Sequence, residues 1–222
     1  MAVNTAQAKA VFTTSIGRKI VMAATGLFLV TFLIVHLSGN LLLLKNDGGV
    51  AFNEYSEFMA TSPLIRVPEI ILFAGFLLHI VWGLGLALKN QKARPTRYKV
   101  NRAAENSTFY SRFMVYSGMV VLIFLLLHLW QFFFIHRILG TQETMYETVV
   151  MAFRNPIFSI GYLVAFVLLA FHLAHGFQSA FQSLGLQVNK RLHRRLTSAG
   201  LAFSVLICAG FATIPLYFLL IG

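Results

Sequence analysis

The chain has 222 residues, 58% of them hydrophobic and 11% charged, with 22 Phe and a mean hydropathy of +0.75; this excludes a soluble domain and fits a helical membrane protein built from apolar stretches of about 20 residues. The net charge of +11 does not point to nucleic acid, because the basic residues lie in short segments between apolar runs, where they act as topology signals. The lone cysteine, Cys208, excludes an intramolecular disulfide and a cysteine-based metal site, and the first fifteen residues read as lacking a secretory signal.

Five apolar runs follow, at about 16–44, 64–88, 113–135, 157–184 and 196–221, each bounded by charge, Pro or Gly. Each is long enough to span a bilayer as a helix, so the expectation is an all-α integral membrane protein forming one transmembrane domain over residues 1–222. The first connection carries the turn signal Asp47-Gly48-Gly49 and then an amphipathic stretch, 52–58, with Glu54 and Glu57. The second, 89–111, is strongly basic. The third holds Glu143 and Glu147 in a stretch read as a short surface helix, and the fourth holds Lys190, Arg191, His193, Arg194 and Arg195.

Fourteen of the 18 lysines and arginines fall on the side of the N-terminus and of the second and fourth connections. Lys45, Arg66, Arg137 and Arg154 fall on the other side, with six of the seven acids. The positive-inside rule puts the N-terminus in the cytoplasm and the C-terminus outside, and an odd number of spans agrees.

An internal repeat carries the most information. Gly26 lies ten residues before His36 in the first run, and Gly118 ten before His128 in the third. In the second run Pro63 lies sixteen residues before His79 and Gly83 four after it, and in the fourth Pro156 and Gly176 flank His172 in the same way. The offsets between the halves are 92, 92, 93 and 93 residues, so the first four runs read as two copies of one hairpin. The fifth run has no histidine.

Depth follows from flanking charge. His36 lies nine residues before Lys45 and His128 nine before Arg137, which places both roughly 13 Å from the outer helix ends. His79 lies ten residues before Lys89, toward the cytoplasm, and His172 matches it if Pro63 and Pro156 mark equivalent helix starts. The four form two pairs at two depths, His36 with His128 and His79 with His172. Two opposed imidazoles per level, from facing helices of a four-helix bundle, meet the need of a six-coordinate b-type haem, one axial nitrogen to each face of the iron. Zinc fits less well, because two imidazoles leave its four-coordinate shell half empty. Gly26, Gly118, Gly83 and Gly176 read as small residues leaving room for the macrocycle. A helix–helix hydrogen bond accounts for a single intramembrane histidine, but not readily for four at repeat-related positions. His175 corresponds in the repeat to Trp82 and reads as a non-ligand; His136 and His193 read as interfacial or solvated.

The segments Ala24-Thr25-Gly26-Leu27-Phe28-Leu29 leading to His36-Leu37, the stretch around His79, Ser117-Gly118 leading to His128-Leu129, and His172-Leu173-Ala174-His175-Gly176 together resemble the five-helix, dihaem cytochrome b membrane anchor of succinate dehydrogenases and fumarate reductases, over all five runs. The resemblance implies two haem b groups, the inner held by His79 and His172 and the outer by His36 and His128. It implies a bacterial cytoplasmic-membrane subunit of a respiratory, tricarboxylic-acid-cycle complex, with a flavoprotein carrying the dicarboxylate site and an iron–sulfur protein docked on the cytoplasmic side. Electrons then pass between that iron–sulfur subunit and a quinone, usually menaquinone. Glu57 lies closest to the acid of the family's outer quinone site, with Glu54 three residues earlier. Ala170 stands where some members carry a glutamate, and Ser183, near Gln182, where some carry a basic propionate partner. Arg18, Lys19 or Arg112 then take the propionates, and Arg94, Arg97, Lys99 and Arg194 the docking surface. Two other readings stand beside this one. The first is the cytochrome b anchor of another respiratory dehydrogenase, whose histidines tend to be spread unevenly among helices. The second is a histidine-using transporter, against which the runs read as free of intramembrane Asp or Glu and of broken helix pairs.

Overall fold

The computed structural model describes residues 14–92, 109–186 and 189–221, without the side chains of 109–112. Lys9, Arg94, Arg97, Lys99, Arg102, Glu105 and the Arg112 side chain, which carry part of the expected orientation and docking signal, lie outside the described residues. Five of the described helices are long and apolar enough to cross a membrane: Ser15–Leu44, Pro63–Lys92, Phe113–Leu139, Pro156–Ser183 and Lys190–Leu220. The all-helical expectation is met.

Helix α1 (Ser15–Asn40) starts at Thr14, whose side chain accepts from the Gly17 N–H, a standard way to satisfy one free N-terminal donor. Its end tightens into a 3₁₀ stretch, Leu41–Leu44. The chain then turns where Asp47-Gly48-Gly49 predicts. Asp47 accepts from the N–H groups of Gly49 and Ala51, and both glycines have positive φ, 67° and 88°, which side-chain-bearing residues rarely adopt. Surface helix α2 (Val50–Thr61) follows. Helix α3 (Pro63–Lys92) begins two residues after it, with a proline in the position that lacks an N–H partner anyway.

The second half repeats this order. Helix α4 (Phe109–His128) passes without a break into a π-helical stretch, Leu129–Leu139, ending at Gly140. Surface helix α5 (Met145–Arg154) carries a capping box, in which the Thr144 side chain and Glu147 satisfy each other's backbone donors. Helix α6 (Pro156–Ser183) again starts with proline two residues later. Its end is closed by Leu186 N–H bonding to the Phe181 carbonyl around Gly185, φ 71°, the pattern of a left-handed C-terminal cap. Helix α7 (Lys190–Leu220) starts six residues before the apolar run does, because Asn189 caps the Leu192 N–H and draws the basic cluster into the first turns.

Packing is uneven, and that unevenness creates the site. Helix α6 packs on α7, α4 and α1, whereas α3 packs chiefly on α1. The buried core runs along α6 and α7 (Tyr162, Phe166, Leu173, Ile207, Phe211, Ile214, Phe218) and continues outward to Leu43, Phe52, Val149 and Phe153. Close approach of α7 rests on small residues: Gly200 lies against Phe177, Gly210 against Leu37, and the buried Ser204 hydroxyl bonds back to the Gly200 carbonyl, as expected where helices associate without a hydrophobic driving force. Large apolar side chains on α3 and α4 such as Ile70, Leu77, Val81, Ile123 and Leu127 are exposed, as befits lipid-facing surfaces.

Candidate functional site

Where α3 stands away from α4 and α6, a cavity of about 1730 Å³ opens along the molecule, lined by residues of α1, α3, α4 and α6, His36, His79, His128 and His172 among them. Small-molecule pockets are typically about 300–1,000 Å³, so this one is large enough for more than one sizeable group.

The histidines meet across it in two pairs. The ring centres of His36 (α1) and His128 (α4) lie 5.8 Å apart at 88°, and those of His79 (α3) and His172 (α6) 6.3 Å apart at 75°. Imidazole–metal bonds are about 2.0–2.1 Å long and each ring centre lies roughly 1 Å behind its nitrogen, so an ion held between two imidazoles needs ring centres roughly 6 Å apart. Both pairs fit that spacing. Among the described residues no group of three or more His, Cys, Asp or Glu can hold a metal ion. A closed zinc shell is therefore missing there, while two axial imidazoles with a macrocycle supplying the remaining nitrogens fit the donor set.

Local bonds orient the rings. His128 Nδ1 lies 3.3 Å from the Tyr162 hydroxyl, which donates to Gln131 Oε1. With its hydrogen given to Gln131, the Tyr162 oxygen accepts from His128 Nδ1–H, and Nε2 keeps its lone pair. The inner level repeats the device on α3: Thr25 Oγ1 donates to the Val21 carbonyl and lies 3.3 Å from His79 Nδ1. Asn40 Nδ2 lies 3.4 Å from His36 Nδ1. His172 Nδ1 is buried with no partner among the described residues, since Ser117, the repeat mate of Thr25, turns its buried hydroxyl to the Met114 carbonyl. Phe32 stacks on His36, and Phe124 and Phe132 flank His128, so the outer pair sits in an aromatic shell.

The glycines line the cavity, but two of them do something more specific than leave space. A Cβ on Gly26 would lie 3.4 Å from His79 Cε1, and one on Gly118 3.3 Å from His172 Cε1. The α1 and α4 backbones thus pass against the inner histidine rings of their own hairpins. A Cβ on Gly83 would meet only Met22, and one on Gly176 nothing within 4 Å.

Other residues fall as follows. His175 lines the cavity with Nδ1 buried and without a partner among the described residues. His136 bonds through Nε2 to the Thr148 hydroxyl at 2.8 Å. Glu54 and Glu57 are exposed on α2 and off the cavity wall, while Tyr55 between them lines it and burial raises its phenol pKa. Arg18 and Lys19 line one end of the cavity, joined by Lys89. One expectation fails: the spans are not free of acids. Glu69 lies inside α3, on the cavity wall, ion-paired with Arg66. The sequence signal for it was its position ten residues before His79, matching Tyr162 before His172. Arg66 also donates to the Met59 and Ala60 carbonyls, and Arg137 to Ala60. Both arginines thereby serve the C-terminal end of α2, where a positive charge is favoured.

Comparison with curated proteins and with solved structures gave no significant match. The family of succinate dehydrogenase/fumarate reductase transmembrane subunits matches over residues 87–214, more than half of the chain, with its third and fourth spans whole and most of the fifth. With five membrane-length helices and that match, the chain belongs to the transmembrane subunits of succinate dehydrogenase/fumarate reductase.

Proposed function

We propose that the chain binds two b haems, one between His79 and His172 and one between His36 and His128, and serves as the quinone-reactive subunit of its complex. The observation that carries this is the pair of facing imidazoles at each of two levels of one cavity, at 5.8 and 6.3 Å between ring centres. When bound, the haems supply one-electron carriers between a cytoplasmic iron–sulfur subunit and a membrane quinone, menaquinone by the resemblance. The remaining work belongs to the chain. Tyr162 and Thr25 fix the tautomer and rotation of His128 and His79, which sets ligand basicity as well as position. The phenylalanines around His36 and His128 keep water from the outer pair. Arg18, Lys19 and Lys89 give the cytoplasmic end of the cavity the positive charge that suits haem propionates.

The N-terminus lies in the cytoplasm, where Arg194 at the start of α7 contributes to the docking surface for the iron–sulfur subunit and its flavoprotein partner, in a bacterial cytoplasmic membrane. The test is to purify the complex from native membranes, identify the co-purifying subunits by mass spectrometry, and add succinate. Reduction of b-type absorbance bands in a preparation holding a flavoprotein and an iron–sulfur protein is the expected result. A complex of those subunits without b-type bands overturns the haem reading.

A further inference from the structure

Helix α7 opens with the basic cluster Lys190, Arg191, Arg194 and Arg195, and residues 184–222 contain no Asp or Glu to balance it. The buried residues of the helix, Gly200, Ser204, Ile207, Phe211 and Pro215 among them, form one stripe packed chiefly against α6. At roughly 100° of turn per residue, Arg191 and Arg195 both stand about 160° from the middle of that stripe, Arg194 about 100° and Lys190 about 60°. Arg191 and Arg195 are exposed and lie on the face of α7 turned away from the bundle, about 6 Å apart along the axis. Among the described residues neither forms an ion pair. Farther along the same face come the exposed Ser198 and Ala202, then Val205 and Leu206, 54% and 71% exposed. Arg195 directly precedes the apolar run that starts at residue 196, so the two guanidinium groups stand at the level of the lipid headgroups and the residues after them at the level of the acyl chains.

We propose that this outward face of α7 binds an anionic phospholipid, whose phosphate is held between Arg191 and Arg195 while its acyl chains lie along Ala202, Val205 and Leu206. Topology alone asks only for positive charge somewhere in the segment; it does not place two arginines one turn apart on the face that continues into the lipid-exposed stripe. A guanidinium group offers a planar fork of donors that matches phosphate oxygens, and its apolar stem can lie along the helix while the charge reaches the headgroup. The pair favours an anionic lipid over a zwitterionic one, because the latter brings its own cation beside the phosphate and the basic end of α7 has no carboxylate to receive it. Ser198, one turn below the pair, supplies a hydroxyl at the depth of the glycerol esters. Lys190 and Arg194, turned closer to the bundle, are left to the docking surface described above.

The test places the whole complex in phosphatidylcholine nanodiscs doped with phosphatidylglycerol or phosphatidylcholine carrying a photoactivatable diazirine in an acyl chain. Mass spectrometry then maps the labelled peptides, and unlabelled phosphatidylglycerol is titrated in to displace the label. Wild type is expected to be labelled over residues 202–206 by the phosphatidylglycerol probe well above the phosphatidylcholine probe. In the double variant Arg191→Gln, Arg195→Gln that preference is expected to disappear, with apparent affinity for phosphatidylglycerol falling roughly thirtyfold, the scale for two cations at a membrane surface. Arg191→Lys with Arg195→Lys keeps the charge and is expected to retain part of the preference, while Lys45→Gln, a cation lost at the opposite end of the spans, retains all of it. Equal labelling of wild type by the two probes would overturn the proposal, whether or not any variant assembles. So would a wild-type preference in the double glutamine variant, an equal loss in Lys45→Gln, or release of another subunit from the double glutamine variant with the lipid label intact, which would assign the pair to protein docking instead.

Discussion

The backbone of Gly118 lies against the imidazole of His172, so closely that a Cβ there would sit 3.3 Å from Cε1. The ring is therefore seated by the absence of a side chain one helix away, and Gly26 does the same for His79. Gly118→Val pushes the His172 ring off its position and is expected to remove the inner haem while the outer one stays. Optical and paramagnetic-resonance spectra of the variant check this. Loss of the outer haem with the inner one retained contradicts it.

Tyr162 works through His128. Replacement by Phe keeps the ring contacts with Phe124 and Phe153 and removes the oxygen that holds Nδ1. Partners of this kind typically tune metal affinity by about 10–100-fold. Tyr162→Phe is accordingly expected to weaken retention of the outer haem and shift its midpoint potential, with the inner haem unchanged. Redox titration resolves the two.

Surface helix α5 is started by the Thr144–Glu147 capping box. Loss of such a cap costs about 1 kcal/mol, so Thr144→Ala is expected to lower the thermal midpoint of the complex modestly without touching either haem. Glu147 accepts from the Thr144 N–H and hydroxyl, which holds its carboxyl below the usual range. A lowered folded-state pKa contributes stability that is fully present above the ordinary glutamate value of about 4.3. It is lost as pH falls below that value through the lowered one. Thr144→Ala removes only the hydroxyl's part of this and keeps the backbone donor, so its gap to wild type narrows at acid pH without closing, because the Glu147 N–H still lacks its hydroxyl partner. A difference that grows on acidification contradicts the assignment.

Depth was legible in the sequence and facing was not. The rise per residue is nearly constant, so counting from flanking charges and prolines placed each histidine at a level and set the repeat. The direction a side chain takes depends on accumulated helical phase, and two stretches break that phase. After His36 the helix tightens at Leu41–Leu44, and after His128 it widens into the π-helical stretch Leu129–Leu139, a feature that often marks functional sites. Gln131 reaches Tyr162 from within that stretch. The same limit hid Glu69. Its depth was countable, but only the three-dimensional placement of α3 shows it on the cavity wall while Glu57 faces outward. The glycines were read as room for a macrocycle; that two of them seat imidazoles rests on a helix–helix approach that spacing alone does not contain.

The central claim is two histidine pairs holding two haems, and haem-to-protein stoichiometry tests it most directly. The purified complex is expected to contain two haem b per copy of this chain. His36→Ala, His79→Ala, His128→Ala and His172→Ala are each expected to leave one, whereas His175→Phe leaves both. A wild-type ratio of one or none, or a His175 variant that loses a haem while the His172 variant keeps both, would contradict the account.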